Sequence, residues 1–460
     1  MEQMLEFDLE LIHRYDKSGP RYTSYPTAVQ FHEGFDDQAY IDAARATNPS
    51  GRPLSLYFHI PFCDTLCFYC GCNKIATKNR AVAVPYLDYL HREIAMQAEL
   101  FDRNRRVEQL HWGGGTPTFI DHTQMCALME QTRAHFSLCD DDSGEYSIEI
   151  DPREVRSDTI ALLRELGFNR MSMGVQDFDP KVQKAVNRIQ SEQQTFTVLD
   201  EARRVGFKSV SLDLIYGLPF QTVGRFMATL EKVIAVNPDR LSVFNYAHLP
   251  EMFKPQRRIN TEDLPSAAEK LDILRATIER LTAEGYVYIG MDHFAKYDDE
   301  LAVAQRERSL YRNFQGYATH ADCDLIGLGV TSIGKVGNTY SQNRKETEPY
   351  YAAIDAGRLP VWRGIALDDD DIVRRTVMTE LICHFSLRFG EIEIPGGQTF
   401  ATYFAPELEA LEKMQHDGLL VMDDQGVVVQ SRGRLLIRNI CMIFDRYLKG
   451  HGGQRFSKVI

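Results

Sequence analysis

No apolar run in this 460-residue sequence approaches the roughly 20 residues that a helix needs to cross a bilayer. The opening stretch MEQMLEFDLELIHRYDK is acidic and has neither the basic nor the apolar region of a secretory signal. The basic runs are few and short, Arg103-Asn104-Arg105-Arg106 and Gln256-Arg257-Arg258, and read as solvated faces within a formal net charge of −13. Broad binding to a phosphate backbone, and so to nucleic acid, is therefore excluded, although a few arginines can still converge on an anionic ligand. A disulfide framework is lacking too. The nine cysteines are an odd number, with four between positions 63 and 72 and the rest scattered. That pattern suits a reduced, cytoplasmic compartment. Neither an internal repeat nor a low-complexity tract is present.

What is present is a chain that is 44% hydrophobic and 25% charged, enough to bury a sizeable core. From residue 54 onward, short strand-like runs alternate with longer helical patterns. The strand candidates are LSLYFHI (54–60), VEQLHWG (107–113), YSIEID (146–151), RMSMGVQ (170–176), SVSLDLIYG (209–217) and RLSVFNY (240–246). Stretches such as VPYLDYLHREIAMQAELF (84–101) and FMATLEKVIAV (226–236) carry apolar residues at helical spacing. Repeated β–α units predict an α/β fold with a parallel sheet, as an incomplete (β/α)6 barrel or, second, a doubly wound sheet. YVYIGMDHF (286–294) reads as one further strand near the end of the barrel.

Four segments are expected: an N-terminal arm (1–53), the barrel (54–300), a connecting segment completing the site (301–365) and a mainly helical C-terminal domain (366–460). The arm contains SGPRYTSYPTA (18–28), ordered but irregular. In the last segment PELEALEKMQHDG (406–418), LLVMDDQGVVVQSRG (419–433) and LLIRNICMIFDRYL (435–448) read as helix, two-stranded wing and helix, a winged-helix-like module.

The chemistry concentrates in HIPFCDTLCFYCGCNK (59–74), where Cys63, Cys67 and Cys70 are spaced CxxxCxxC in the loop after the first strand. A coincidental group of thiols is the bland alternative. Structural zinc prefers two separated ligand pairs, and no second pair exists in the chain. An iron–sulfur cluster fits thiolates from one compact loop better. Gly113-Gly114-Gly115 ends the second strand, where backbone without Cβ can approach a ligand or simply turn tightly. Glu149 and Asp151, Gln176 and Asp177, Asp213, and Asn245 and Tyr246 end the next four strands, a pattern better explained as a lined polar site than as separate caps.

CxxxCxxC after the first strand, followed by HWGGGTPT, resembles the radical SAM superfamily. SGPRYTSYPTA, SIEIDPRE, MSMGVQDF, DLIYGLP, SVFNYAHLP, GMDHFA, RNFQGY, RNICMIFD and the terminal FSKVI extend the resemblance over nearly the whole chain, to the oxygen-independent coproporphyrinogen III oxidases of heme biosynthesis. That resemblance implies a radical SAM barrel holding a 4Fe-4S cluster on Cys63, Cys67 and Cys70, with the fourth iron open to S-adenosylmethionine. It implies contacts to that molecule from Tyr57, Tyr69, Gly114, Glu149 and Ile333. A second S-adenosylmethionine would lie against Gly115, Thr116, Gln176, Arg188, Asp213 and Ala247. The implied reaction converts two propionates of coproporphyrinogen III to vinyl groups, giving protoporphyrinogen IX and CO2. A 5′-deoxyadenosyl radical takes a hydrogen atom that no side-chain base can remove as a proton. A reduced flavodoxin- or ferredoxin-type donor and an electron acceptor that the sequence does not name complete the partners, in a monomer without a membrane span.

Tyr57, His59 and Cys72 are the candidate catalytic residues. His59 divides between a structural hydrogen bond and tuning the cluster or handling a proton. Cys72 would close the open iron if it joined the cluster, so a role near the substrate is expected. Arg21 is a candidate for a substrate carboxylate, against a packing role in the arm. A heme-binding radical SAM chaperone is the alternative function. Such relatives read Cys-x-Phe where this chain reads Cys70-Gly71-Cys72, and they lack the SGPRYTSYPT arm.

Overall fold

The computed structural model describes residues 5–320 and 323–450, the last two of these by backbone alone. The terminal FSKVI lies outside them. Two compact units emerge, neither continuous in sequence: one of residues 31–273 with 322–366, and one of residues 1–30, 274–321 and 367–460.

The larger unit is built on β1 (Leu54–Ile60), β2 (Arg106–Gly114), β3 (Glu145–Ile150), β4 (Arg170–Gln176), β5 (Ser209–Tyr216) and β6 (Arg240–Asn245). Neighbours in this series are all hydrogen-bonded in parallel. β2 to β6 all lie on one side of β1 in chain order, whereas a doubly wound sheet crosses to the other edge of its first strand after two or three. β7 (Asp324–Leu328) pairs in parallel with the other edge of β1. β8 (Ile333–Val336), β9 (Thr339–Asn343) and β10 (Val361–Ala366) continue antiparallel.

Burial explains the strand sequences. Six of the seven residues of β1 are buried, as expected for a strand covered on both faces. β4 alternates instead, leaving Ser172, Gly174 and Gln176 half-buried on one side. The crossover helices bury one stripe each. In α1 (Val223–Ala235), Phe226, Leu230, Val233 and Ile234 face the core, each contributing about 1.5–3 kcal/mol.

Arg105 corrects the reading of its basic run as a solvated face. It is 2% exposed and forms an ion pair with Asp324, also 2% exposed. Its guanidinium also donates to the Arg52 carbonyl and Thr47 Oγ1.

In the smaller unit, the run at 286–294 is not one strand but an antiparallel pair, Tyr286–Gly290 with His293–Lys296. Gly290 (φ 141°) and Met291 (φ 55°) turn the chain between them. Ala405–His416 is helical, Leu420–Met422 pairs with Gly426–Val429, and Ser386–Arg388 adds a third strand to that wing. Asp423 Oδ1 accepts from the Gln425 and Gly426 N–H groups and closes the turn. The last α-helix among the described residues covers only Ile437–Phe444. Among the described residues, no helix is long and apolar enough to cross a membrane.

Candidate active site

The loop after β1 is clamped at both ends. Phe62–Cys63 pairs with Ile75–Ala76 in a two-stranded ladder, closed by Ile75 N–H to the Pro61 carbonyl (2.7 Å) and Thr77 N–H to the Cys63 carbonyl (2.9 Å). Asn187 Nδ2 holds the Leu66 carbonyl at 2.8 Å, and the Phe68 N–H donates to the Val186 carbonyl at 2.9 Å. Within this frame Cys63, Cys67, Cys70 and Cys72 all line one cavity of about 370 Å³. Cys72 is the exposed member, and none of the nine cysteines is in a disulfide.

The glycine run is explained by its neighbours. Gly115 N–H donates to the Ile60 carbonyl (2.8 Å) and Thr116 N–H to the Phe62 carbonyl (2.7 Å), so β2 continues alongside the loop. A Cβ on Gly115 would meet the Phe62 carbonyl oxygen at 2.7 Å, and one on Gly114 (φ 111°) the His59 ring at 2.6 Å. The Gly114 N–H itself goes to Glu149 Oε2 at 3.1 Å.

His59 is buried between two partners, Asn73 O to Nε2 at 3.0 Å and Tyr57 Oη to Nδ1 at 3.1 Å. Burial pushes the imidazole pKa down, and one neutral tautomer satisfies both contacts: Nε2–H donates to the carbonyl while Nδ1 accepts from the tyrosine. Tyr57 also stacks on His111 with ring centroids 5.8 Å apart.

Glu149, Asp151, Gln176, Arg188 and Asp213 line the same cavity with Tyr69, Gly114, Gly115 and Thr116. β4 slips register between Gly174 and Gln176, and Gln176 adopts a left-handed φ of 67°. Such a bulge at a strand end re-aims a side chain. Burial pushes the Glu149 carboxyl up, but hydrogen bonds from His111 and the Gly114 N–H outweigh it and hold it below its ordinary value. Asp213 shows the opposite balance: burial lifts it to about 6, against the lowering effect of a hydrogen bond from Ser172 Oγ (2.9 Å).

Several strand-end residues do not reach the cavity lining. Asp177 is buried in its own network, accepting from Gln221 Nε2 and Thr229 Oγ1 at 2.6 Å each. Tyr246 packs in an apolar cluster with Val182 and Leu218. Ala247 follows β6, its carbonyl 3.3 Å from Gln256 Nε2, which also reaches the Tyr69 carbonyl at 3.1 Å. Ile333 opens β8, and neither it, Ala247, Tyr57 nor His59 is part of the lining.

Conversely, Thr65, Lys74, Arg153, Ser172, Gly174 and Phe244 line the cavity and were not singled out from sequence. Arg153 carries the most consequence. Its Nε and Nη2 hold the Asp151 carboxylate at 3.0 and 2.7 Å, and Nη2 points at Cys67 Sγ from 3.6 Å. Arg188 Nη1 contacts the same carboxylate at 3.1 Å and the same sulfur at 3.7 Å. The alternation of β4 was the available signal for Ser172 and Gly174. Nothing local marked Arg153.

The donor set suits thiolate ligation of a metal cluster. Each of the three spaced sulfurs has a hydrogen-bond donor or cation beside it: Thr116 Oγ1 at 3.6 Å from Cys63, the two guanidiniums at Cys67, and the Lys74 ammonium near Cys70. A hydrogen bond from Cys72 pulls the Cys70 thiol down, and its counterpart raises Cys72. Burial lifts Cys63 to about 11, a cost that an electron-accepting metal would offset.

Residues 57–233 match the model of the radical SAM superfamily, and residues 367–436 match that of the HemN C-terminal domain. The chain is 55% identical over 460 residues to an oxygen-independent coproporphyrinogen III oxidase of Pseudomonas aeruginosa, covering 100% of both chains. Identity to the Escherichia coli protein of the same name is 54% over 459 residues, covering 100% of this chain and 99% of that one. Among solved structures, coproporphyrinogen III oxidase from Escherichia coli, titled a radical SAM enzyme, superposes with a TM-score of 0.92 at 52% identity. The match covers 97% of this chain and 100% of that one.

Proposed function

The chain belongs to the oxygen-independent coproporphyrinogen III oxidases, radical SAM enzymes of heme biosynthesis, and from that premise we propose a division of labour among its residues. Family membership brings a 4Fe-4S cluster and S-adenosylmethionine. Cys63, Cys67 and Cys70 would hold the cluster with one iron left open, and Cys72 would stay off it. When bound, the pair supplies a 5′-deoxyadenosyl radical, able to take hydrogen from an unactivated C–H bond.

The observation that carries this reading is the convergence of three donor-flanked thiols with Glu149, Gln176, Arg188 and Asp213 on one cavity. Arg153 and Arg188 place positive charge beside Cys67, and Asp151 fixes both guanidiniums. Glu149 and Asp213 are acceptors for the ribose hydroxyls or ammonium of S-adenosylmethionine, Gln176 and Arg188 are donors for its carboxylate, and Tyr69, Gly114, Gly115 and Thr116 form the walls. Two molecules per chain would share this cavity and its surroundings, where Ile333 and Ala247 are also assigned contacts. Tyr57 and the neutral His59 brace the base of the loop through their mutual hydrogen bond. The scaffold is read as an incomplete (β/α)6 barrel in a cytoplasmic monomer, in keeping with nine cysteines that form no disulfide.

On this reading, coproporphyrinogen III loses a hydrogen atom from each of two propionate β-carbons. Loss of CO2 and one further electron from each gives the two vinyl groups of protoporphyrinogen IX. A flavodoxin- or ferredoxin-type protein would donate the electrons that cleave S-adenosylmethionine, and a separate acceptor would take up the electron lost from each substrate radical.

The test is anaerobic turnover. Reconstituted protein, S-adenosylmethionine, a low-potential reductant, coproporphyrinogen III and an acceptor source should yield protoporphyrinogen IX, and Cys67→Ser should yield none. Cleavage of S-adenosylmethionine without porphyrin product would transfer the function to another substrate or to heme delivery.

A further inference from the structure

The smaller unit gathers arginines from remote parts of the chain around a single carboxylate. Arg21 Nη1 lies 3.9 Å from Asp292 Oδ2, and Arg312 and Arg438 also act electrostatically on that carboxyl. Burial pushes Asp292 up while the three arginines pull it down. The guanidiniums also act on one another: Arg438, 7% exposed, is brought down to about 10, first by burial and then by Arg21. Arg438 is already committed to backbone, donating to the Gly19 and Pro20 carbonyls.

Arg312 differs. It lies in the hairpin Tyr311–Asn313 with Gly316–Ala318, directly across from Tyr317. Its guanidinium carbon sits 4.7 Å from the centroid of that ring. Stacking fixes the plane of the group and leaves its N–H groups as the reactive edge. Two of its nitrogens, Nε and Nη1, are shut away from water with no hydrogen-bond partner among the described residues. Buried donors are rarely left unpaired, and a charged one least of all. Three positive charges against one negative, with donors lacking acceptors, define a site that an anionic oxygen acceptor would complete.

We propose that Arg312, within the field of Arg21 and Arg438, binds a carboxylate of the substrate, one of the four propionates of coproporphyrinogen III. This rests on the functional reading above. A neutral porphyrin ester offers no charge to these groups, which sets the discriminating experiment.

Binding of coproporphyrin III and of its tetramethyl ester to the full reconstituted chain is followed by fluorescence in one detergent-containing buffer. KM and kcat for coproporphyrinogen III are measured alongside. Arg312→Met should weaken the tetra-acid by about tenfold to a hundredfold, the range of a hydrogen bond to a charged group. It should leave the ester unchanged and raise KM more than it lowers kcat. Arg312→Lys keeps the charge without the planar fork and should fall between; it carries the test alone if circular dichroism finds the methionine variant unfolded. Equal losses for acid and ester, or no loss for either, overturn the proposal while wild-type turnover still upholds the functional reading. A wild-type chain that neither binds the porphyrin nor turns over the porphyrinogen overturns both.

Discussion

The cysteine cavity of the larger unit and the arginine cluster of the smaller one handle buried charge to different degrees of completion. At the cavity, Arg153 and Arg188 share Asp151, with side chains 13%, 8% and 10% exposed. At the cluster Arg21 lies 3.9 Å from Asp292 while Arg312 and Arg438 act on it electrostatically, and Arg312 keeps two nitrogens without acceptors among the described residues. A network answered except at Arg188 Nε can pre-organise a fixed ligand set. An excess of one sign is instead completed by something that comes and goes, as a substrate does.

The comparison breaks most visibly where the answered network is cut. Asp151→Asn leaves two buried guanidiniums without their carboxylate and should cost about 3–5 kcal/mol in urea denaturation of the apo chain. A loss below 1 kcal/mol would mean that the network does not hold the cavity. Gly114→Ala comes next. A methyl driven into the His59 ring from a left-handed backbone should cost about 2–4 kcal/mol, and an unchanged melting temperature would refute the close packing of the glycine run on β1.

A third variant sharpens the contrast through pH. Asp213 has its native pKa raised to about 6 from 3.8, so between these values the folded chain binds more protons than the unfolded one and stability falls as pH rises. Asp213→Asn in the apo chain should therefore be more stable than the parent at pH 7.5, on the order of 3 kcal/mol. The gap should close below pH 4; a gap independent of pH would reject the burial account. The smallest effect is expected at the cluster, where Asp292→Asn removes a long, partly exposed contact worth about 0–1 kcal/mol. Thermal melts that move as far as those of Asp151→Asn would abolish the distinction between the two regions.

The two regions also differ in how far the sequence discloses them. Cys63, Cys67 and Cys70 sit within eight consecutive positions, and six strand candidates match six observed strands to within a residue at each end. Glu149 and Gln176 were legible because a parallel sheet puts successive strand ends on one side, whereas Asp213, expected at a strand end, lines the cavity from three residues inside β5. Asp177 followed the same rule and failed it, since its carboxylate is consumed by Gln221 and Thr229. Arg105 looked solvated because its partner Asp324 lies more than two hundred residues away. The cluster of Arg21, Asp292, Arg312 and Arg438 was hidden for the same reason, with only Arg21 picked out. The run at 286–294 read as one strand because its turn uses Gly290 and Met291 without proline or asparagine, and Gly290 and Asp292 were the local warnings.

The central claim is that radical chemistry starts at three thiols and not four. Iron, sulfide and 5′-deoxyadenosine are measured together, under anaerobic reduction with S-adenosylmethionine, for serine variants at each of the four loop cysteines. The account predicts that Cys63→Ser, Cys67→Ser and Cys70→Ser lose cluster iron and form no 5′-deoxyadenosine, whereas Cys72→Ser keeps the iron and sulfide content of the parent. Iron loss in Cys72→Ser equal to that of the other three, or full 5′-deoxyadenosine formation by Cys67→Ser, would contradict it.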